Sequence, residues 1–305
     1  MHHMRRAADI HLEPAYVGNS AQFSRSSMVD RSVGSVHMGF GLCALEAEGR
    51  VDTHFHSFEE SFYVMSGEPS LVLNGRAFRL APGTCGVVPV GVPHAWLGPA
   101  RGESRWLDMM APQPRGDGLP EDTFFLGPPE QHVAAELDIR NPQVRHFFHM
   151  SDGDIVVDNL KAGARVDAPT VSASMATALL AYSGIAVKML VDQRLDAQLH
   201  TMFMVEYQPG GVAHLHDHPL EEAYYILDGE VEAVADDKTY LLRAGDVFWT
   251  GVGSIHAFYN RSSRTVRWLE TQSPQPPARH SYRFNRDWDY VKSQLAAPAA
   301  GRRVG

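Results

Sequence analysis

The chain has 305 residues, of which 44% are hydrophobic and 21% charged, so it has the length for two domains with packed cores and the composition of a folded protein. The formal net charge of −9 argues against a nucleic-acid surface, which needs a field of lysine and arginine. No stretch is apolar enough to span a membrane or to serve as a signal peptide. The only cysteines, Cys43 and Cys85, imply no disulfide framework, so we expect a cytoplasmic protein with two buried free thiols. A single bridge between them is the less favoured alternative.

Short β-branched and aromatic runs dominate the first third of the chain. They are separated by turn signals such as Ser66-Gly67, Asn74-Gly75 and Pro82-Gly83. The runs are Phe62–Met65, Ser70–Leu73 and Gly86–Pro89. Short strands with a turn every eight to twelve residues, as an approximate spacing, are typical of a β-sandwich or β-barrel.

The middle of the chain is less informative. Residues 112–129 are rich in proline and glycine and are interpreted as a connector. For residues 130–187 three alternatives stay open: a short helix, an extra strand pair, or arms that clasp the opposite domain.

A second set of strand-like runs then follows, at Glu222–Leu227, Glu230–Ala235, Thr239–Leu242 and Asp246–Thr250. After Pro277, Asn285 would cap a short C-terminal helix in which Trp288, Val291 and Leu295 recur at helical spacing. We therefore predict an N-terminal barrel over 1–125, a connector or arm over 126–185, a C-terminal barrel over 186–275 and a tail with a helix over 276–305.

The two sets of strands are copies of one unit. When each residue is aligned with the one 162 positions later, glycines, histidines, glutamates and aromatic residues coincide from Gly49 to Asp108 without a gap. The matched pairs include Gly49 with Gly211, Gly67 with Gly229, Gly83 with Gly245, and Arg105-Trp106-Leu107 with Arg267-Trp268-Leu269. Coincidence at a single offset does not explain so many matches.

The repeat carries a pattern of metal-ligating residues. The first copy contains His54-x-His56-x3-Glu60 and then His94, and the second contains His216-x-His218-x3-Glu222 and then His256. Residues two apart on a strand point to the same face, so both histidines of each pair face inward, as does the glutamate if the strand is continuous. Three imidazoles and one carboxylate suit a divalent transition metal with two positions left open. Each set therefore predicts one metal site; occupancy of one barrel alone, or of neither, remains an alternative.

Both copies resemble the two sequence motifs of the cupin superfamily. The residues that carry this resemblance are His54, His56, Glu60, Gly67, Gly83, Pro89, Gly91 and His94, and His216, His218, Glu222, Gly229, Gly245, Gly253, His256 and Asn260. Two departures leave the ligands intact: Gly251 stands where the family has proline, and Gly98 where it has asparagine. The resemblance covers residues 40–110 and 200–272. It implies a bicupin, an all-β protein with two double-stranded β-helix (jelly-roll) barrels in tandem, each able to bind one metal.

The reaction is not determined by these motifs. The leading hypothesis is a dioxygenase that acts on a small phenolic or enolic substrate with Fe(II); Mn(II) is the other favoured ion, and Ni, Co or Zn would also suit the ligands, with up to two ions per chain. The alternatives are a non-oxidative Mn-type decarboxylase, aminohydrolase or isomerase, and a binding or storage protein without turnover. We expect a homo-oligomer whose only other partner is a small molecule, with no nucleic acid or membrane partner.

Several side chains near the ligands are candidates for the cavity walls and for catalysis. Inward alternation places Phe62, Val64 and Trp96 in the first cavity and Tyr224, Ile226 and Phe258 in the second. We predict Tyr224 and His214 as catalytic residues of the second barrel, the main site, because each would place a polar group near the open positions. For His214 the alternative is a histidine at the barrel mouth, and Trp96 is a polar handle in the first barrel. No arginine occupies an inward position near either ligand set, which weakens the case for a dicarboxylate substrate.

Overall fold

The computed structural model describes residues 1–115, 122–130, 133–141, 144–155, 178–180, 184–275 and 283–284. These residues form curled, mainly antiparallel sheets that make one barrel for each copy of the repeat, as the sequence predicts. The helices within these ranges are short 3₁₀ turns at Ala7–Asp9, Arg31–Val33, Asp152–Asp154 and Gln193–Leu195. The C-terminal helix expected around Trp288 lies outside the described residues.

The first barrel is organised around one long strand that pairs on both of its sides. This strand, Gly39–His56, contacts four others because it bends around the barrel. The strands of the first half of the chain are β1 (His2–Arg5), β2 (Glu13–Pro14), β3 (Ser20–Val29), β4 (Gly39–His56), β5 (Glu59–Ser66), β6 (Ser70–Leu73), β7 (Arg76–Arg79), β8 (Thr84–Val88), β9 (His94–Leu97), β10 (Glu103–Ala111), β11 (Thr123–Gly127), β12 (Ala135–Glu136) and β13 (Phe147–His149).

The second barrel repeats this arrangement in two sheets. One has the strand order β1-β21-β18-β23-β16-β15-β14 and the other β20-β19-β22-β17-β24. The strands are β14 (Ala178–Leu180), β15 (Ile185–Val191), β16 (Thr201–Tyr207), β17 (Val212–Asp217), β18 (Glu221–Asp228), β19 (Glu230–Ala235), β20 (Lys238–Arg243), β21 (Val247–Thr250), β22 (His256–Tyr259), β23 (Val266–Ser273) and β24 (Arg283–Phe284).

The structural repeat begins earlier than the sequence repeat does. The 3₁₀ turns Arg31–Val33 and Gln193–Leu195 are 162 residues apart, and each is capped by an aspartate that accepts a backbone N–H two residues later. Those aspartates are Asp30 and Asp192. The hairpin predicted at Asn74-Gly75 also forms, with positive φ at both residues.

The barrels exchange strands with each other. Strand β1 precedes the first barrel in the chain but pairs with β21 of the second, and β13 precedes the second barrel but pairs with β8 of the first. Strands β8 and β21 occupy equivalent positions in the repeat, so each arm covers the same edge of the opposite barrel. Residues 2–5, placed with the N-terminal barrel from the sequence, are thus part of the second barrel's sheet, and the described part of the connector supplies an arm.

Three apolar clusters hold this architecture together. One fills the first barrel around Trp96 and Trp106, and a second fills the other barrel around Phe258 and Trp268. The third lies between the barrels and contains residues of both, including Phe40 and Trp249. The walls predicted from inward alternation belong to the first two clusters, and Cys43 and Cys85 are buried free thiols, as expected. Among the described residues, no helix is both long and apolar enough to cross a bilayer.

Candidate metal centres

A bulge at the same place in each barrel directs the ligand histidines inward. In the first barrel Val51 pairs with Trp96 and His54 with His94, so one extra residue lies on β4 between these pairs. In the second barrel Ala213 pairs with Phe258 and His216 with His256, with the same excess on β17. Directly opposed residues share a face of the sheet, which brings the first and third histidines of each set together.

The ligand glutamates come from the next strand and not from a continuation of the first. Strand β4 ends at His56 and β5 begins at Glu59, so the condition of one continuous strand is not met. Glu60 nevertheless faces the first histidine set, because the chain turns at Ser57 and Phe58 before β5 begins. Glu222 reaches the second set in the same way, from the start of β18.

The donor atoms of each set converge on one point. Within each histidine triad one ligand atom per residue lies within 4.8 Å of the others. Glu60 Oε2 is 3.0 Å from His56 Nε2 and 3.6 Å from His94 Nε2. Glu222 Oε2 is 2.7 Å from His218 Nε2 and 3.4 Å from His256 Nε2. Two ligands bound at about 2.1 Å on perpendicular axes would lie about 3 Å apart, so these spacings suit one metal ion.

The outer nitrogens of all six histidines are engaged in hydrogen bonds. Five Nδ1 atoms donate to backbone carbonyls two residues away, those of Asp52, Val92, His214, Leu220 and Ser254. The sixth, in His56, lies 3.0 Å from the hydroxyl oxygen of Thr123. A donor at Nδ1 leaves the lone pair on Nε2 facing the centre of the site, the arrangement that orients imidazole ligands in metal sites. His94 Nε2 is buried and has no hydrogen-bond partner, as expected of an atom placed for a metal.

The protonation states also suit a metal, except that the charge of Glu222 outweighs burial and raises the pKa of His218. Burial lowers the pKa of His54 well below its usual value, with the neighbouring His94 and His56 adding to the effect, and burial with His256 lowers the pKa of His216 to about 3. Burial alone would raise the pKa of Glu60, but the nearby His56 and His94 outweigh it and lower that pKa. Neutral imidazoles and an ionised carboxylate are the forms that bind metals. The residues therefore fit a divalent ion in both barrels.

A small cavity adjoins the ligands of the first barrel. His54, Glu60, Trp96 and Trp106 line it, and so does the ion pair of Arg25 and Asp108. The guanidinium donates from Nε and Nη2 to the two carboxylate oxygens, at 2.6 and 2.7 Å, and both side chains are buried. The expectation that no arginine lies near a ligand set is therefore wrong.

The sequence pattern does not single out Arg25, because it lies on β3, outside the repeated stretch. Its strand and β10, which carries Asp108, flank the first half of β4, so three adjacent strands bring the pair beside the ligands. A buried carboxylate such as Asp108 requires a cation or several hydrogen-bond donors. An aspartate within the apolar run of β10 was therefore the sequence signal for a cationic partner.

Gly41 makes room for this ion pair. A Cβ atom at Gly41 would lie 2.3 Å from Nη2 of Arg25 and 2.6 Å from Oδ1 of Asp108. At the offset of 162 residues Phe203 stands in place of Gly41, and Val187 in place of Arg25. In the second barrel apolar side chains therefore replace the glycine and the arginine, while the equivalent of Asp108 is Glu270, a buried carboxylate that accepts a hydrogen bond from Trp268.

The second barrel has a different polar network around its glutamate. The Tyr224 hydroxyl donates to Glu222 Oε2 and lies 3.1 Å from His256 Nε2, while Gln272 donates to Glu222 Oε1. Their counterparts in the first barrel are Phe62 and Met110, which cannot form these bonds. Burial, with the charge of Glu222, holds the pKa of Tyr224 well above its usual value, so its hydroxyl stays protonated.

The structure changes the position expected for His214. The bulge in β17 breaks the alternation between His214 and His216, and the His214 ring packs edge-on against Tyr259, 6.0 Å between centroids. Tyr259 follows the inward Phe258, so it faces the other side of the strand. His214 packs against that side.

Asn260, a residue of the second motif, has a structural role. Its amide donates to the carbonyls of Tyr207 and Arg264 and so holds a turn.

Comparison with known proteins agrees with this architecture. The family model described as the Cupin domain matches residues 41–110 and 203–271, one match in each barrel. Comparison with curated proteins gave no match.

Several solved structures are similar over nearly the whole chain. Oxalate decarboxylase from Lactobacillus farciminis, in a formate complex, has 17% sequence identity and a TM-score of 0.61 over 97% of this chain and 90% of its own. Oxalate decarboxylase from Bacillus subtilis has 17% identity and a TM-score of 0.61 over 97% and 83%. The putative glyoxylate-induced protein from Pseudomonas aeruginosa has 16% identity and a TM-score of 0.63 over 92% and 89%. At such identities the likeness shows the fold. Because a cupin domain is matched in each of two barrels with complete histidine and glutamate sets, the chain belongs to the cupin superfamily and is a bicupin.

Proposed function

We propose that this bicupin is a metal-dependent enzyme that cleaves a small carboxylate substrate without oxidation, by decarboxylation, in the first barrel. The observation that carries the proposal is the position of Arg25 in the cavity beside His54 and Glu60. The similar oxalate decarboxylases add support at the level of fold. They favour decarboxylation over the dioxygenase reaction, which is the leading hypothesis from the sequence alone.

Charge balance favours an anionic substrate. With a divalent ion on the histidines and Glu60, and with Arg25 paired to Asp108, the buried site would hold one net positive charge. A buried charge needs compensation, and a substrate carboxylate would provide it. Among the described residues no hydrogen bond engages Nη1 of Arg25, and Nε1 of Trp106 is buried without a partner. Both N–H groups would donate to carboxylate oxygens.

The residues of the first barrel divide the chemical work. A metal held by the ligand set, for which we propose Mn(II), would supply positive charge at the bound oxygens. Arg25 and Trp106 would orient the carboxylate that remains bound, and apolar walls such as Val51 and Trp96 would exclude water. Loss of CO2 leaves an electron pair on carbon that takes up a proton, and the proposed donor is Tyr16, which lines the cavity and stays protonated because burial raises its pKa well above the usual value. This balance requires no oxidant.

The test uses protein stripped of metal and reloaded with Mn(II), assayed without oxygen. Carboxylic acids of two to four carbons, oxalate included, are screened for release of CO2. Arg25→Gln is expected to raise KM at least tenfold with an unchanged manganese content, because a hydrogen bond to a charged group contributes about 1.5–3 kcal/mol. Arg105→Gln is the control, since Arg105 pairs with the exposed Glu103. Uptake of oxygen with Fe(II) and a phenolic substrate, without CO2 release from any acid, would contradict the proposal and favour the dioxygenase.

Tyr224 supports a second candidate site, in the other barrel. Its hydroxyl contacts both Glu222 and His256 and would be a general acid there. His56→Ala removes a ligand of the first barrel and His218→Ala one of the second, so their activities rank the barrels. We expect His56→Ala to abolish turnover. Loss confined to His218→Ala and Tyr224→Phe would move the active site to the second barrel.

A further inference from the structure

Each ligand glutamate follows a second buried glutamate that contacts the other barrel. Glu59 accepts the backbone N–H groups of Gln198 and Leu199, at 2.9 and 3.2 Å, and its Oε1 is 2.8 Å from His200 Nδ1. Glu59 lies on the first barrel, whereas these three partners precede β16 of the second. The carboxylate thus fixes a loop of the opposite barrel.

The same contact is made in the reverse direction. Glu221, on the second barrel, accepts the N–H groups of Val36 and His37, at 2.8 and 3.3 Å, and the hydroxyl of Ser35 at 2.6 Å. Val36 and His37 are equivalent to the loop residues held by Glu59, because the two loops are 162 residues apart. The exchange is reciprocal.

Adjacent residues on a strand point to opposite sides. Glu60 therefore faces the histidines of its own barrel while Glu59 faces the other barrel, and the same holds for Glu222 and Glu221. Ser61 also contacts His200, so Glu60 lies between two residues that touch the same loop. An ion that restrains Glu60 would restrain this loop as well.

A chain of hydrogen bonds continues from the loop to the other glutamate. Thr201, directly after His200, donates to Oε1 of Gln272 at 3.3 Å, and Gln272 Nε2 donates to Glu222. Near the same place the Ser273 hydroxyl lies within hydrogen-bond distance of the carbonyls of His37, at 3.2 Å, and Leu199, at 3.4 Å. The two loops therefore meet at Ser273, the residue after Gln272.

We propose that Glu59 and Glu221 are positioning residues that couple the two metal centres, so that an ion in one barrel raises the affinity of the other. The first ion orders the shared loops and bears the loss of conformational entropy. The second ion then binds without that loss, which is a source of positive cooperativity. The inference depends on metal binding by both sets, which the proposed function also requires, but not on the reaction catalysed.

The experiment titrates Mn(II) into chelator-stripped protein in a calorimeter. The variants His56→Ala and His218→Ala each disable one site and report the affinity of the other site alone. In the wild type that other site is expected to bind its ion at least fivefold more tightly, because typical allosteric couplings are about 5–150-fold. Glu59→Gln should make the sites independent. The N–H groups of Gln198 and Leu199 donate to different oxygens of Glu59, and an amide has only one oxygen. Ser35→Ala, a milder change, should weaken the coupling at least twofold, whereas Ser32→Ala, in the same loop but bonded to Asp30, should preserve it.

The outcomes are distinct. Coupling lost in Glu59→Gln and reduced in Ser35→Ala supports the inference. Two ions that bind independently in the wild type, or coupling that survives in folded Glu59→Gln, overturns it and leaves the proposed function intact. Failure of the wild type to bind any manganese overturns both. If Glu59→Gln does not fold, the comparison of Ser35→Ala with Ser32→Ala decides.

Discussion

Gly41 is the residue on which the charged cavity of the first barrel depends. Its lack of a side chain leaves the space in which Arg25 and Asp108 meet, and Phe203 stands at the equivalent position of the other barrel. A glycine inside a strand weakens it in general, so close approach of another group is the physical reason for this one.

We expect Gly41→Ala to displace the ion pair and to lower the free energy of unfolding by about 1–3 kcal/mol, the usual range for an overpacked core. Gly39→Ala is the matched control on the same strand, because its Cβ would meet nothing closer than 3.6 Å. Urea denaturation of the metal-free variants gives the comparison. Equal stability of the two variants would show that the ion pair does not depend on the space at Gly41. Activity should fall in Gly41→Ala alone.

At the scale of elements, strand exchange joins the two barrels. Strand β1 covers the edge of β21, and two further bonds hold the chain that follows it: Arg6 donates to Asp246 at 2.7 Å, and so does the N–H of Ala7 at 2.9 Å. An uncovered edge strand leaves its N–H and C=O groups unpaired. The arm is thus part of the second barrel's structure.

Deletion of residues 1–6 is therefore expected to loosen the second barrel selectively. Amide hydrogen exchange along β21 should become at least tenfold faster, since those amides lose their covering strand, while β8 should keep its protection under β13. Mass spectrometry of the exchanged peptides compares the two strands within one sample. Unchanged protection along β21, or equal loss in both barrels, would contradict this assignment.

At the scale of the whole molecule, metal binding and folding are linked. Each site places a buried carboxylate among three buried imidazoles, and these ligands converge only when separate strands pack together in the folded barrel. An ion that binds the folded state alone stabilises it by about 2.7 kcal/mol at one hundred times its dissociation constant.

Chelation should accordingly lower the midpoint of thermal unfolding, and addition of Mn(II) should restore it. His56→Ala and His218→Ala should each lose at least half of this shift, since either change also removes any coupling between the sites, and the double variant should show none. Scanning calorimetry with elemental analysis measures both the shift and the metal content, expected between one and two ions per chain. A wild-type midpoint that is indifferent to chelator would contradict metal binding at both sites.

Homo-oligomerisation stays a prediction that light scattering can check.

The ligand sets were predictable because their geometry is local. Spacings such as His54-x-His56 follow from the alternation of a strand, and the repeat at 162 residues doubled the signal. The double-barrel fold followed from the same motifs and from the turn residues between short runs. What a strand alternation cannot reveal is a bulge: one inserted residue in β17 was enough to change the side on which His214 lies.

The remaining features depend on which strands become neighbours. Arg25 and Asp108 are 83 residues apart, and they meet because β3 and β10 both pair with β4. Strand β1 contacts β21 with no local pattern to indicate it, and Glu59 is distinguished from Glu60 only by the barrel it faces. By itself the sequence determined two barrels with two sets of metal ligands. Only the tertiary structure decided which barrel has a charged cavity and how the centres are joined, because pairing between distant strands depends on the packing of the whole chain and leaves no periodic signal.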